Sequence, residues 1–278
     1  MSFNAGFGSF EASHVASCPD VAPECATTGI PDHMHHVKLD LAHYELAASY
    51  GLRDHMQLFL RLPYDVKAQH VRYSSLDGAP YTPPYGDIHH RSETLTGISD
   101  PSAGVEWSPS PRWVFGAGMT IPAGHTVANP IVLGREGKTH EHIQFGSGTF
   151  RPILSAQWTP PRFTAVAEAT LSLYENDRGF RAPSTITWSA GPNYRAGRIG
   201  IGPRLTGQLQ SIGRWKGETD EGTGFNNGGV RLQLSIPVLR FTLAPSVYRE
   251  LWSHSSSGEE SFRQGTTWGI SIVLPPRG

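Results

Sequence analysis

Short and long connections alternate strictly between segments of period-2 hydrophobicity along this chain, and few architectures require that rhythm. Twelve segments read as strands, at roughly 3–12, 37–51, 55–67, 96–107, 112–122, 146–158, 162–175, 184–195, 198–211, 228–238, 240–252 and 265–274. Tight links fall at Gly51–Asp54, Ser108–Pro111, Thr159–Pro161, Arg195–Gly197 and around Leu239. Long polar links occupy roughly 13–36, 68–95, 123–145, 176–183, 212–227 and 253–264. The alternation inside the segments is plain at 230–238, where Val230, Leu232, Leu234, Ile236 and Val238 face Arg231, Gln233, Ser235 and Pro237. In 162–173 the apolar series Phe163, Ala165, Ala167, Ala169, Leu171 and Leu173 interleaves with Thr164, Val166, Glu168, Thr170 and Ser172. Near the C terminus, Trp268, Ile270, Ile272 and Leu274 share one face.

A soluble sandwich also alternates its strands, yet nothing in it makes every second loop long. A transmembrane barrel does, with short turns on one rim and long loops on the other. The segments also exceed the usual strand length of about 5–6 residues. They match the ~9–11 residues a tilted strand needs to cross hydrocarbon. Trp107 and Trp113 flank one tight link, Trp158 and Phe163 another, and Tyr50, Tyr64, Tyr194 and Trp252 stand near other strand ends, as interfacial girdles do. The expectation is an all-β, closed, antiparallel up-and-down transmembrane barrel of 12 strands, a single domain over 1–278. Its surroundings would be the bilayer of a bacterial outer membrane. The rival architecture is a soluble β-barrel or sandwich that binds a ligand.

Composition narrows the classes further. With 31 Gly and 22 Pro, long helices are disfavoured. A formal net charge of -1 leaves no nucleic-acid footprint, so no nucleic-acid partner is expected. No run of about 18 apolar residues marks a membrane helix. Residues 1–15 lack the basic start and apolar core of a signal peptide, so none is expected.

Four motifs, in order, resemble the outer-membrane family named for the meta-pathway of phenol degradation. Tyr50-Gly51-Leu52-Arg53-Asp54, followed by Leu58, Leu60 and Leu62-Pro63-Tyr64, looks like that family's hairpin. Gly97-Ile98-Ser99-Asp100 with Gly104 is similar to its strand start. Ile121-Pro122-Ala123-Gly124 is similar to its strand end, and Phe145-Gly146-Ser147-Gly148 to the opening of the next strand. The resemblance covers about 50–160, with later hairpins similar in pattern only. It implies a transporter of aromatic or other hydrophobic compounds.

If the apolar faces meet lipid, parity turns the opposite faces inward. Glu45, Arg61, Asp65, Glu106, Arg151, Gln157, Glu168, Arg204, Gln208, Arg231, Gln233 and Glu250 then line the lumen, and the charged ones are the candidate solute-binding groups. Phe163, Leu171, Leu205, Leu232 and Ile270 face lipid. Arg61, Arg151, Arg204 and Arg231 are each expected beside an acidic partner, because burying an unpaired charge costs several kcal/mol. A charged lumen suggests a polar or anionic small-molecule solute, against the hydrophobic one that the resemblance implies. The interior would be an open conduit for facilitated diffusion, or a salt-bridged plug in a structural or interaction barrel that offers its loops to a partner.

The remaining chemistry is sparse. Of 13 His, many fall in the expected loops, as Asp32-His33-Met34-His35-His36, His89-His90 and His140-Glu141-His142. None has the spacing of a structural zinc site, so solvated loop polarity is preferred and no metal or cofactor is expected. His254-Ser255-Ser256, with Asn226 or Asn227, offers a thin hydrolase reading, but a Ser-rich loop is simpler and no enzyme activity is expected. The Gly-rich stretch 221–229 precedes a strand and reads as a flexible loop. Cys18 and Cys25 are the only cysteines, close together around two prolines in a segment that would mature in an oxidising compartment. They are expected to form a disulfide, worth roughly 2–3 kcal/mol of unfolded-state entropy.

Overall fold

The structure, a computed structural model, describes residues 1–17, 30–84, 91–220, 223–256 and 263–274. The first half of the wall comprises β1 (Ser2–Ala16), β2 (His33–Arg53), β3 (Met56–Ser75), β4 (Glu93–Ile98), β5 (Ser102–Ser110), β6 (Trp113–Thr120), β7 (Arg151–Trp158) and β8 (Phe163–Thr170). Between β6 and β7 lies a short helix, α1 (Pro130–Arg135), and a two-residue strand, β9 (Phe180–Arg181), follows β8. The second half comprises β10 (Thr185–Pro192), β11 (Tyr194–Ala196) and β12 (Ile199–Gln210). A small hairpin, β13 (Gly213–Trp215) and β14 (Glu218–Asp220), then precedes β15 (Phe225–Val238), β16 (Phe241–Ser255), β17 (Arg263–Gln264) and β18 (Thr266–Val273).

Each wall strand pairs antiparallel with its sequence neighbour, and β18 returns to β1 with Ser2 opposite Val273 and Phe7 opposite Trp268. Three staves are interrupted, where β4 leads into β5, β10 into β11 and β17 into β18, so the closed barrel has 12 staves. Closure leaves the wall without an unpaired edge, which a bilayer demands because hydrocarbon offers no hydrogen-bond partners.

Parity decides the two faces. Across the β2–β3 ladder, Tyr44, Leu46, Ala48 and Tyr50 stand directly opposite Tyr64, Leu62, Leu60 and Leu58. Directly opposed residues point the same way, so these eight share the outer face. Around the rest of the barrel, Leu154 is 55% exposed and Trp268 62% exposed, with Ile186, Leu205 and Leu232 also exposed. A continuous exposed apolar belt around a closed barrel suits contact with lipid. Trp113 stacks on Phe115 at 5.5 Å and neighbours Trp158 at 6.1 Å near the short turns, forming one sector of an aromatic girdle.

β1, β2, β3, β15 and β16 outrun the expected strands, whereas β6, β7 and β8 stop short of them. β2 and β3 have 21 and 20 residues, and above the apolar belt their outer face becomes polar, with Lys38 and His70 both bonded to Asp40. Here the wall stands in water, so apolar alternation fades while backbone pairing continues. His33, His35 and His36 accordingly lie within β2 rather than in a loop before it. Residues 225–229 also belong to a strand, β15, paired with β12, and the Trp252 ring on β16 covers the space a side chain would occupy at Gly228. The expected flexible loop there is corrected at those positions.

Three connections build structure of their own on the long-loop rim. β9, β13 and β14 form a three-stranded sheet whose core is Phe180, Ala182 and the 1%-exposed Trp215. Asn129 caps α1 by accepting from the Ile131 and Val132 N–H groups, and Pro130 occupies the first turn, where no N–H is missed. Val127 and Ile131 pack on the Trp215 cluster, and Arg135 grips Glu218 bidentately at 2.7 and 3.1 Å.

Candidate functional site

Strand register puts Glu45, Arg61, Asp65, Glu106, Arg151, Gln157, Glu168, Arg204, Gln208, Arg231, Gln233 and Glu250 on the face opposite the apolar belt, the inner face of the closed wall. By the same pairing Phe163, Leu205, Leu232 and Ile270 lie on the outer face. Among the described residues, one wall-to-wall ion pair crosses the interior. Arg61 on β3 donates to Glu168 on β8 at 2.9 and 3.0 Å, although three staves separate the two strands along the wall. A bidentate guanidinium–carboxylate pair is both strong and directional, so this chord has a defined position. The Arg61 guanidinium also lies 5.1 Å from the Phe59 ring.

The other inner carboxylates are satisfied mostly by neutral donors. Glu45 accepts from Asn4 at 3.0 Å and Glu106 from Gln57 at 2.5 Å. Asp65 meets His43 at 2.7 Å and accepts from the Ser99 hydroxyl. Glu250 accepts from Asn227 and from the Gln264 N–H at 3.5 and 3.3 Å.

The arginines depart from expectation. Only Arg61 of the four has a carboxylate partner among the described residues. Arg151 donates to the Pro183 carbonyl at 2.6 Å. Arg204 donates to the carbonyls of Pro192 and Pro203 and to Asn193 Oδ1. Arg231 is exposed into the interior and makes no side-chain hydrogen bond or ion pair with described residues. The reason is geometric. Arg231 stands directly opposite Arg204 on one side and Tyr248 on the other, and neither neighbour supplies a negative charge.

A cavity of about 380 Å³ opens beside Arg231. Its lining includes Thr187, Ser189, Thr206, Gln208, Asn227 and Tyr248, and Arg231 is its one charged residue. Sequence parity pointed to Gln208 and Arg231. It did not single out the hydroxyl-bearing positions, whose signal was their place in the same alternating rows.

A second polar centre joins three of the motif segments noted in the sequence. Asp100 Oδ1 accepts from the Gly124 N–H at 2.9 Å. Its Oδ2 accepts from the Ser147 N–H and hydroxyl at 2.8 and 2.7 Å. Gly124 and Gly146 approach so closely that an added Cβ at Gly124 would lie 2.7 Å from the Gly146 backbone. Beyond this clasp the 121–150 connection leans on the inner wall: Lys67 donates to the Gln144 carbonyl at 2.5 Å and lies over the Phe145 ring at 4.6 Å. Arg91 bridges to Glu141 at 3.5 Å and to Glu93 at 3.1 Å. Burial, reinforced by the neighbouring Glu93, pushes the Glu141 carboxyl above its ordinary range. With α1 seated on the Trp215 cluster, this connection crosses the mouth from the β3–β4 wall to the β9–β13 side.

The histidine-rich segments divide. His33 and His35 are buried, with their Nε2 atoms 3.0 Å apart and Tyr73 and Tyr81 against them. No group of three or more metal-ligating side chains assembles among the described residues. His89-His90 and the Cys18–Cys25 pair lie outside the described residues. His254 stands opposite Asn226 in the ladder, and the Asn226 carbonyl oxygen is 3.5 Å from the Trp252 indole N–H.

A closed barrel with an apolar outer belt, short turns at one rim and elaborate connections at the other has the architecture of outer-membrane β-barrels. Its fold is similar to the crystal structure of an outer-membrane channel from Pseudomonas putida F1, with a TM-score of 0.58 and 11% identity over 98% of this chain and 94% of that one. It is also similar to the CymD monoaromatic hydrocarbon channel, with a TM-score of 0.50 and 10% identity over 100% of this chain and 89% of that one. No protein-family profile matches the chain, and no curated protein matches it. At such identities the likeness is one of fold.

Proposed function

We propose that this protein is a bacterial outer-membrane channel that passes small molecules by facilitated diffusion. The observation that carries this reading is the polar cavity beside Arg231, on the β8–β18 side of the Arg61–Glu168 chord, enclosed by a wall whose outer face suits lipid. The similarity to channels of known structure supports it, and so do the four motifs of the aromatic-compound family. The chord narrows one side of the interior, and the inner hydroxyls and amides replace part of a solute's hydration on the other. Reconstitution in planar bilayers tests the proposal: discrete conductance steps, with arabinose uptake by proteoliposomes, are expected. Silence at every voltage together with no uptake would overturn it.

The 121–150 connection across the mouth favours a second reading, a plugged barrel that presents its loops to a partner. The same recording separates the two. Loosening the clasp by Asp100→Asn should leave conductance unchanged in a channel whose path avoids that connection, and should create conductance in a plugged barrel.

A further inference from the structure

We infer that the cavity beside Arg231 is a binding station for small organic anions, with the Arg231 guanidinium as the anchoring charge. The inference rests on the channel reading for the solute's route, but the site itself is defined by geometry. Arg231 and Arg204 occupy directly opposed positions of β15 and β12 on the inner face. Like charges so placed repel each other. Arg204 relieves part of this by bending toward the Pro192 carbonyl, 2.5 Å away, at the short-turn end. Arg231 has no such outlet, and its nearest inner neighbour across the other ladder is the Tyr248 phenol.

Every other residue that lines the cavity is neutral. Of the nearest inner carboxylates, Glu168 is paired with Arg61, and Glu250 stands behind the lining, hydrogen-bonded by Asn227 and the Gln264 N–H. Arg231 is therefore the one charge that faces the cavity directly, and the low-dielectric wall strengthens its pull on an anion. Five donors in a planar fork suit a carboxylate, which can accept two of them at once. Thr187, Ser189, Thr206 and Thr267 supply hydroxyls, and Gln208 and Asn227 supply amides, around the body of such a solute. Val166 and the Tyr248 ring add apolar lining, so a compact ring or short chain bearing one carboxylate fits better than a bare ion. A volume of about 380 Å³ lies at the lower end of small-molecule sites, roughly 300–1,000 Å³, which limits the solute to a small one.

The test is a ligand-detected NMR titration of the folded, detergent-solubilised protein with sodium benzoate, and with benzamide as its uncharged counterpart. Benzoate should bind at least about tenfold more tightly than benzamide. Arg231→Gln should weaken benzoate by about 10- to 100-fold and leave benzamide nearly unchanged. Arg231→Lys keeps the charge and should retain most of the affinity, which also controls for folding. Arg249→Gln removes an outward guanidinium and should change nothing. Equal binding of the two probes, or benzoate binding indifferent to Arg231→Gln, would overturn the station. Parallel recordings in potassium chloride keep the two proposals apart. A conducting barrel without benzoate preference defeats the station alone, whereas benzoate binding in a silent barrel defeats the channel alone.

Discussion

Replacing Asp100 by Asn tests whether one carboxylate holds the mouth-crossing connection in place. The carboxylate accepts three bonds, from the Gly124 N–H at 2.9 Å and from the Ser147 N–H and hydroxyl at 2.8 and 2.7 Å. Asparagine has nearly the same shape but only one oxygen. Whichever way the amide turns, its NH2 confronts a backbone N–H of Gly124 or Ser147. A bond to a charged group contributes about 1.5–3 kcal/mol, so losing one outright and weakening the others comes to about 3 kcal/mol for local opening. At 1.36 kcal/mol per decade, that raises the open population about 150-fold. The connection carries trypsin sites at Arg135 and Lys138, and cleavage there tracks the open population when reclosing is fast. Mass-resolved limited trypsinolysis of the folded barrel should therefore show cleavage at 135 and 138 accelerated by about two orders of magnitude, with the wall intact. Acceleration of less than about threefold would show that the clasp contributes little and that Lys67, Arg91 and the α1 contacts hold the connection without it.

Glu168→Gln leaves Arg61 without its carboxylate, so reversal potentials in a salt gradient should shift toward anion selectivity; an unchanged value would place the chord off the conducting path. Leu232→Arg puts a charge on the apolar outer face and should cost about 2–4 kcal/mol in detergent-to-bilayer folding equilibria if that position lies near the bilayer midplane. Glu141 binds its proton more tightly in the folded state than in the unfolded one, so it costs stability above its raised folded value and the cost is relieved as pH falls through that value. Amide-exchange protection over 138–148, corrected for intrinsic rates, should rise as pH falls from neutral toward about 5 and lose that dependence in Glu141→Gln. Cys18 and Cys25 should resist alkylation in unreduced protein; two alkylated thiols detected by mass spectrometry would refute the bond.

The wall was legible because lipid on one side and water on the other impose a single alternation on every stave. Leu205, Leu232 and Ile270 fall on the outer face for the reason that made them visible in sequence. The short turns were legible for a related reason: Asp54-His55 and Leu239-Arg240 leave no room for more than a reversal. Contacts across the interior were not. Which stave faces which depends on closure, so nothing near Arg61 in sequence announces Glu168, 107 residues away. The same blindness produced the expectation of an acidic partner for Arg231, whose actual neighbours are Arg204 and Tyr248. The upper rim was hidden differently. Its strands stand in water and carry Lys38, Asp40 and His70 outward, a pattern indistinguishable from a polar loop until backbone pairing is seen.

That change of character along β2 and β3 amounts to a waterline drawn on the protein. From Leu58 to Val66 the outer face is apolar for about 26 Å along the strand, and at a tilt near 40° for about 20 Å along the membrane normal. Above it Asp40 holds Lys38 and His70, and Glu11 on β1 stands opposite Lys38. A rigid, fully paired wall cannot shorten, tilt further or hide these charges when the surrounding hydrocarbon is thicker than the belt. Mismatch of this kind costs fractions of a kcal/mol per ångström. With a cylinder this stiff, that cost falls on the acyl chains, which must thin into a collar around it. The lipid is the component that yields.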